Sequence, residues 1–218
     1  MTLGSAATIQ QYALLYTDVS NAAFITALYV PIVPLILKIF FRKYLHWSIW
    51  IAVIICLIGL YLLTTDENTK IGNVSDILLI SAAFLFAIQI ILNDIYLQKN
   101  KAPFSFAFSQ YLIVFIITLF LALIFEKPTI YGIKNEFFEI FYAGAMSVGI
   151  AYTLQILGQN KTKPAPAAII LSMEAVFAAI AAWILIGQTM NITKIIGCFL
   201  IFIGIIIAQI FPLKKNKL

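Results

Sequence analysis

Charged, sulfur-containing and imidazole side chains are scarce in this sequence of 218 residues. Only 11% of the residues are charged, two are cysteine and one is histidine, whereas charged residues make up about 25% of a typical soluble domain. Cys56 and Cys198 each lie inside an apolar run, which favours small buried side chains over a disulfide or a metal pair. The scarcity of charge argues against a soluble domain.

The groups that catalysis needs are also missing. An enzyme in an apolar environment needs a nucleophile–base pair or a metal cluster. The one histidine, His46, lies at the edge of an apolar run, and no cluster of His, Asp and Glu occurs inside the runs. No glycine-rich phosphate loop is present either. The sequence therefore predicts a protein that is not an enzyme, with no catalytic residue, no metal and no cofactor.

Long apolar runs dominate instead. Hydrophobic residues make up 63% of the chain and the mean hydropathy is +1.03, which is typical of a membrane protein. A helix needs about 20 apolar residues to cross a bilayer. Eight runs are candidate spans, of which the first is short and contains two glutamines: 3–17, 21–40, 47–64, 74–97, 104–125, 137–159, 165–187 and 192–211. The predicted fold is an all-α bundle of eight transmembrane helices in a lipid bilayer.

Two prolines have a special position in this pattern. Pro31 and Pro34 lie within the second span, where they free backbone carbonyl groups and are expected to kink the helix. The other five prolines fall at or beyond the ends of spans, where a missing N–H group is harmless.

The basic residues are divided unevenly between alternate loops. Ten of the 14 lysines and arginines lie in one set of loops and four in the other. The positive-inside rule assigns the richer set to the cytoplasm. The chain is therefore predicted to be a multi-pass protein of the plasma (inner) membrane, with residues 213–218 as a cytoplasmic basic tail. Because the net charge of +5 comes mainly from these loops, it indicates orientation and no nucleic-acid partner.

The sequence contains an internal repeat. A shift of 145 residues aligns the first three spans with the last three without a gap, with Gln10 on Gln155 and Gly59 on Gly204. The copies lie five spans apart, an odd number, so they must be inverted relative to one another. Inverted repeats are typical of secondary transporters that alternate access around a site at the repeat interface. The predicted repeats are residues 74–212, with five spans, and residues 1–66, with three, so that two N-terminal spans are expected to be missing.

Three segments carry a family resemblance: 21–31 (NAAFITALYVP), 172–178 (SMEAVFA) and 183–188 (WILIGQ). They resemble the EamA-type family of the drug/metabolite transporter superfamily. The resemblance covers essentially the whole chain, as spans three to ten of a ten-helix bundle of five-plus-five inverted repeats. It implies export or exchange of small metabolites, amino acids or drug-like compounds around a central cavity. Ala175 stands where that family usually has proline, so the helix distortion that a proline causes is not expected here.

Polar residues on single helical faces are the candidate cavity residues. Glu174 is the one charge in the seventh span, roughly 12 Å from Pro166 along a helix, and intramembrane carboxylates usually mark a pathway. We expect it to be protonated for part of a transport cycle or to anchor a polar substrate group. The candidate substrate-binding and cavity residues are Glu174, Gln10, Gln155, Tyr152, Tyr29, Thr26, Gln89 and Asn93. For each, a hydrogen bond that only joins two helices is the alternative.

The sequence thus predicts a secondary-active exporter or exchanger that works by alternating access between inverted repeats. Its partners would be the lipid bilayer and a small-molecule substrate, and self-association into a homo-oligomer is left open. A truncated, non-transporting remnant or a structural membrane subunit is the alternative function. The substrate, the coupling ion and the direction of transport do not follow from the sequence.

Overall fold

The computed structural model describes residues 2–17, 19–64, 74–100, 102–125, 129–187 and 190–213, and these contain helices and no strand. The helices are α1 (Thr2–Ala13), α2 (Val19–Thr26), α3 (Tyr29–Ile39), α4 (Trp47–Thr64), α5 (Val74–Lys99), α6 (Pro103–Phe125), α7 (Ile130–Asn135), α8 (Phe137–Phe141), a π-helical segment (Tyr142–Tyr152), α9 (Thr153–Gln159), α10 (Pro164–Leu171), α11 (Met173–Ile186) and α12 (Ile192–Leu213).

Seven stretches within the described ranges are long and apolar enough to cross a membrane: Asn21–Ile39, Trp47–Thr64, Val74–Lys99, Pro103–Ile124, Phe137–Gln159, Pro164–Leu185 and Ile192–Ile210. The predicted all-α membrane bundle is confirmed. The first predicted span differs, because α1 has 12 residues and is therefore about 18 Å long, short of a full crossing. It nevertheless packs along α5 as part of the bundle. The predicted basic tail lies outside the described residues, apart from Leu213.

The most extensive contact among the described helices joins α4 and α12. A β-carbon at Gly59 would lie 2.9 Å from Ile201 Cγ1, and a β-carbon at Gly204 would meet Cys56 Sγ. Cys56 Sγ also donates to the Ile201 carbonyl oxygen at 3.7 Å, across 145 residues of sequence. Since 145 is the repeat offset, the same contact is made twice with the two helices exchanged. A pseudo-two-fold axis between inverted repeats produces this pattern.

Two spans are broken near their middles. The second predicted span, 21–40, is divided into α2 and α3 at Ala27 and Leu28. The seventh predicted span, 165–187, is divided into α10 and α11 at Ser172. Pro31 lies just after the first break and cannot donate to the Ala27 carbonyl oxygen, whereas α3 continues through Pro34. The expectation of an undistorted seventh span is wrong, because the helix is interrupted at Ser172 although no proline follows Glu174. The Ser172 hydroxyl donates to the Ile169 carbonyl oxygen at 2.6 Å, a bond that bends helices.

Polar contacts join α5 to α2 and to the loop that follows α3. Asn21 Nδ2 donates to Asp76 Oδ1 at 3.0 Å near the start of α5, and Lys43 Nζ lies 3.8 Å from Asp94 Oδ2 near its end. The first pair is buried, and Asp94 is buried as well. The two contacts therefore hold α5 near its start to α2 and nearer its end to the loop after α3.

One side of the bundle is open. In each of the spans Pro103–Ile124 and Phe137–Gln159, only 6% of an apolar stretch of 18 residues is buried. The corresponding share is 50% in α4 and in α5. The core lies instead between α3, α4, α5, α10 and α12, where the main buried cluster is found. The candidate site lies between this core and the open side.

Candidate functional site

A cavity of about 80 Å³ lies where five elements meet. These are α1, the junction of α2 and α3, α5, the junction of the π-helical segment and α9, and the junction of α10 and α11. Its lining combines amides, hydroxyls, aromatic rings and one carboxylate. The lining residues are Gln10, Thr26, Tyr29, Phe86, Gln89, Ile90, Tyr152, Gln155, Leu171 and Glu174. The structure thus brings together seven of the eight residues proposed from the sequence. The exception is Asn93.

Asn93 lies one turn beyond Gln89 on α5 and takes part in a different contact. Its Nδ2 donates to Gln159 Oε1 on α9 at 2.9 Å, and both residues are buried. This is the helix-to-helix hydrogen bond that was the alternative for every candidate. The spacing of four residues put Asn93 on the face of Gln89, but its depth along α5 brings it to Gln159 instead.

The lining follows the inverted repeat. Gln10 pairs with Gln155 and Tyr29 pairs with Glu174 at an offset of 145 residues, and all four line the cavity. Thr26 pairs in the same way with Leu171. The cavity is therefore built from equivalent positions of both copies, as a site on the pseudo-two-fold axis must be.

The two broken spans place their residues at the cavity. Thr26 ends α2 and Tyr29 begins α3, while Leu171 ends α10 and Glu174 lies in the first turn of α11. The lining residues of the second, fourth and seventh spans lie near the middle of each span. Broken helices around a site near the bilayer midplane are typical of secondary transporters.

The sixth span reaches the cavity through an unusual conformation. Tyr152 is the last residue of the π-helical segment Tyr142–Tyr152, and Gln155 follows in the first turn of α9. Thr153 Oγ1 donates to the Gly149 carbonyl oxygen at 2.6 Å at this junction. Helices of the π type are rare and occur frequently at functional sites. Nothing in the amino-acid pattern predicted this segment.

Among the described residues that line the cavity, Glu174 is the only charged one. Within the described part of the chain its carboxylate makes no hydrogen bond or ion pair, and its side chain keeps an exposed surface. The other polar groups are more enclosed, since Gln89 is 2% exposed and Thr26 is 7% exposed. Gln10 Nε2 donates to Thr26 Oγ1 at 3.4 Å, which joins α1 to α2. The site therefore contains one unpaired carboxylate among neutral groups.

Three lining residues were not proposed from the sequence: Phe86, Ile90 and Leu171. Phe86 and Ile90 lie three residues before and one after Gln89, so the helical face of Gln89 would have indicated the first of them. Leu171 is the repeat partner of Thr26, so the offset of 145 would have found it. Their apolar character hid them from a search for polar groups.

A second, larger cavity of about 620 Å³ opens between α1 and α6. Its described lining residues, none of them charged, are Thr8, Gln11, Tyr12, Leu15, Phe115, Thr118, Leu119, Leu121 and Ala122. Gln11 lies here, whereas its neighbour Gln10 lines the central cavity. No group of three His, Cys, Asp or Glu residues in the described ranges could hold a metal ion.

Comparison with known proteins adds three findings. A family model described as the EamA-like transporter family matches residues 73–209, which is more than half of the chain. An uncharacterized transporter of Archaeoglobus fulgidus is 29% identical over 210 residues, which cover 93% of this chain and 64% of the relative. The chain thus spans just under two thirds of the length of that curated relative. A crystal structure of a protein of unstated function matches 99% of this chain and 75% of its own, with a TM-score of 0.76 at 16% identity, and so shows the fold.

Proposed function

The chain belongs to the EamA-like transporter family, and from this premise we propose that it is a secondary-active exporter or exchanger of small metabolites, amino acids or drug-like compounds. It works by alternating access, in which the central cavity opens in turn to the two sides of the membrane. The family match and the seven apolar stretches identify the chain as a multi-pass membrane protein of a transporter family.

The observation that carries the proposal is the symmetry of the cavity. Gln10 and Gln155, and likewise Tyr29 and Glu174, are repeat partners that line one cavity from opposite copies. If the two copies exchange conformations, the same residues face first one side of the membrane and then the other. A cavity built from unrelated positions would not allow this exchange.

The lining residues have distinct roles in this scheme. Glu174 anchors a polar substrate group or carries a proton for part of the cycle, because an unpaired carboxylate at this depth needs a partner. Gln10, Gln89, Gln155 and Thr26 supply neutral donors and acceptors, while Tyr29 and Tyr152 combine an aromatic face with a hydroxyl. At about 80 Å³ the cavity is smaller than the roughly 300–1,000 Å³ typical of pockets for drug-sized ligands. In this scheme the cavity must widen to load a ligand of that size.

We also propose in which membrane the protein lies and how it is oriented there. The lysine and arginine distribution supports the plasma (inner) membrane with a cytoplasmic C-terminus. Self-association into a homo-oligomer belongs to the proposal as a variant and is not required by the cavity.

The open side of the bundle favours the alternative of a non-transporting or structural membrane subunit. The spans Pro103–Ile124 and Phe137–Gln159 leave most of their surface without protein contacts. Such a surface suits a protein that packs against other membrane helices. The two functions differ in one measurable property, because only a transporter moves a compound across the membrane.

The test is exchange in proteoliposomes. The purified protein is reconstituted, loaded in turn with unlabelled amino acids, amines or organic acids, and assayed for counterflow uptake of the labelled compound. We expect saturable uptake that an internal substrate accelerates. Gln155→Leu, which changes the cavity, should abolish it, and Gln209→Leu, which changes an exposed position of α12, should not. Absence of saturable uptake for every class would support the structural subunit instead.

A further inference from the structure

The charge of the central cavity limits what can bind there. The described residues that line it include no lysine, arginine or histidine, and Glu174 is the one carboxylate among them. The nearest described ion pair, Lys43 with Asp94, lies at the end of α5 and is already formed. An anionic ligand would meet Glu174 with no cation among the described lining residues to compensate, and two like charges at short range repel.

The aromatic lining supplies a second preference. Tyr29, Phe86 and Tyr152 come from three different spans and line the same small space as Glu174. Aromatic faces attract cations through their quadrupole, and the attraction grows when the cation is desolvated. The Glu174 carboxylate and the three aromatic rings therefore both favour a cation.

The remaining polar atoms are compatible with an N–H donor. Gln10 uses its amide nitrogen to donate to Thr26, so its carbonyl oxygen can accept from a ligand. Gln89 and Gln155 add two more amide groups. A protonated amine has several N–H donors to direct at such acceptors.

The size of the cavity excludes large ligands in this conformation. Its volume is about 80 Å³, whereas an apolar cavity of about 150 Å³ is known to hold benzene in another protein. A methylammonium-sized group fits, and the remainder of a larger cation would extend out through the opening of the cavity.

We propose that the cavity binds the ammonium group of a small organic cation, with Glu174 as counter-ion and Tyr29, Phe86 and Tyr152 as the aromatic enclosure. This inference rests on the proposed function, because it takes the cavity to be the transport site, and it names the substrate class for that site. It differs from a site that binds only a proton, in which the rings and the ligand's shape play no part.

The test compares three compounds of nearly equal shape and different charge. Choline is the cation, 3,3-dimethyl-1-butanol its neutral counterpart and 3,3-dimethylbutanoate the anion, with methylammonium as the smallest cation. Binding to the purified protein in detergent is measured by calorimetry. Choline has no N–H group, so its preference over the alcohol can come only from charge attraction to Glu174 and from the aromatic faces, whereas methylammonium can also donate charge-assisted hydrogen bonds. Both cations should bind roughly tenfold more tightly than the alcohol. The anion should not bind measurably.

Variants of Glu174 and Tyr152 measure separately how the charge and an aromatic ring contribute to binding. Glu174→Gln should remove the preference for choline over the alcohol, while Glu139→Gln, at an exposed carboxylate of α8, should leave it unchanged. Tyr152→Leu should weaken choline binding by roughly threefold to tenfold, and Tyr152→Phe should retain it. If Glu174→Gln is not monodisperse, Glu174→Asp and the two Tyr152 variants test the site without it.

The two proposals fail in different ways. Saturable exchange of neutral or anionic compounds, with no preference for choline over the alcohol, would overturn the cation site and leave the transporter intact. Choline binding that depends on Glu174, with no exchange of any compound, would overturn the transporter and retain the cation site. Proton uptake at Glu174 without discrimination among the probes would also overturn the cation site.

Discussion

A single methyl group between α4 and α12 provides a quantitative test of the fold. In Gly197→Ala the new β-carbon would lie 2.6 Å from the Gly59 carbonyl oxygen and 2.9 Å from the Leu63 amide nitrogen. Both are backbone atoms, so the helices must separate by several tenths of an ångström. Overpacking of this kind costs about 1–3 kcal/mol, while alanine gains roughly 0.5–1 kcal/mol over glycine in a helix. The expected net destabilisation is about 0–2.5 kcal/mol, with a midpoint of roughly 1 kcal/mol.

Two further variants make this prediction specific. In Gly204→Ala the closest atom is Cys56 Sγ, followed by the Ala52 carbonyl oxygen at 3.1 Å, so adding Cys56→Ala should recover part of the lost stability, a recovery that Gly197→Ala cannot show. Gly158→Ala meets nothing within 4 Å and should be neutral or stabilising. The assay is the equilibrium or thermal unfolding of the purified protein in mild detergent. A Gly197→Ala protein as stable as Gly158→Ala would refute the close packing of α4 on α12, and with it the position of the pseudo-two-fold axis.

Three other predictions follow from the packing and the loops. Asn93→Leu should destabilise by roughly 1–3 kcal/mol in the same unfolding assay, because it leaves the buried Gln159 amide without its one observed bond. Gly187→Ala should lower the midpoint by the equivalent of about 1 kcal/mol, because Gly187 ends α11 with φ at 69°, and an unchanged midpoint would contradict that conformation. Cysteines introduced singly should react with an impermeant reagent from outside at positions 70 and 134 and not at 100 and 216, and the reverse would contradict the predicted orientation.

Much of the bundle could be predicted because apolar length is a strong signal. Seven of the eight predicted spans correspond to long apolar helices, and α4 has the predicted bounds Trp47–Thr64. The first span was predicted too long, because residues 14–17 are apolar or aromatic in part but form a turn after Ala13. Hydropathy does not distinguish a helix from a turn whose side chains face lipid.

The cavity could be anticipated from the repeat, whereas its backbone could not. The offset of 145 residues and the helical faces led to Gln10, Gln155, Tyr29 and Glu174, which the structure brings together. The break at Ser172 gave no sequence signal, because a serine hydroxyl that bonds to its own helix is common and only sometimes accompanies a break. That these residues bind a substrate stays a prediction.

Access to the cavity from both sides is the central claim, and one measurement tests it most directly. In a Cys56→Ala, Cys198→Ala background, Leu171→Cys and its repeat partner Thr26→Cys each place a thiol in the cavity lining. In oriented membranes, an impermeant thiol reagent is added from one side or the other, with and without the transported compound. We predict modification of each thiol from either side and protection by the compound. Modification from one side only, or from neither, would contradict alternating access around this cavity.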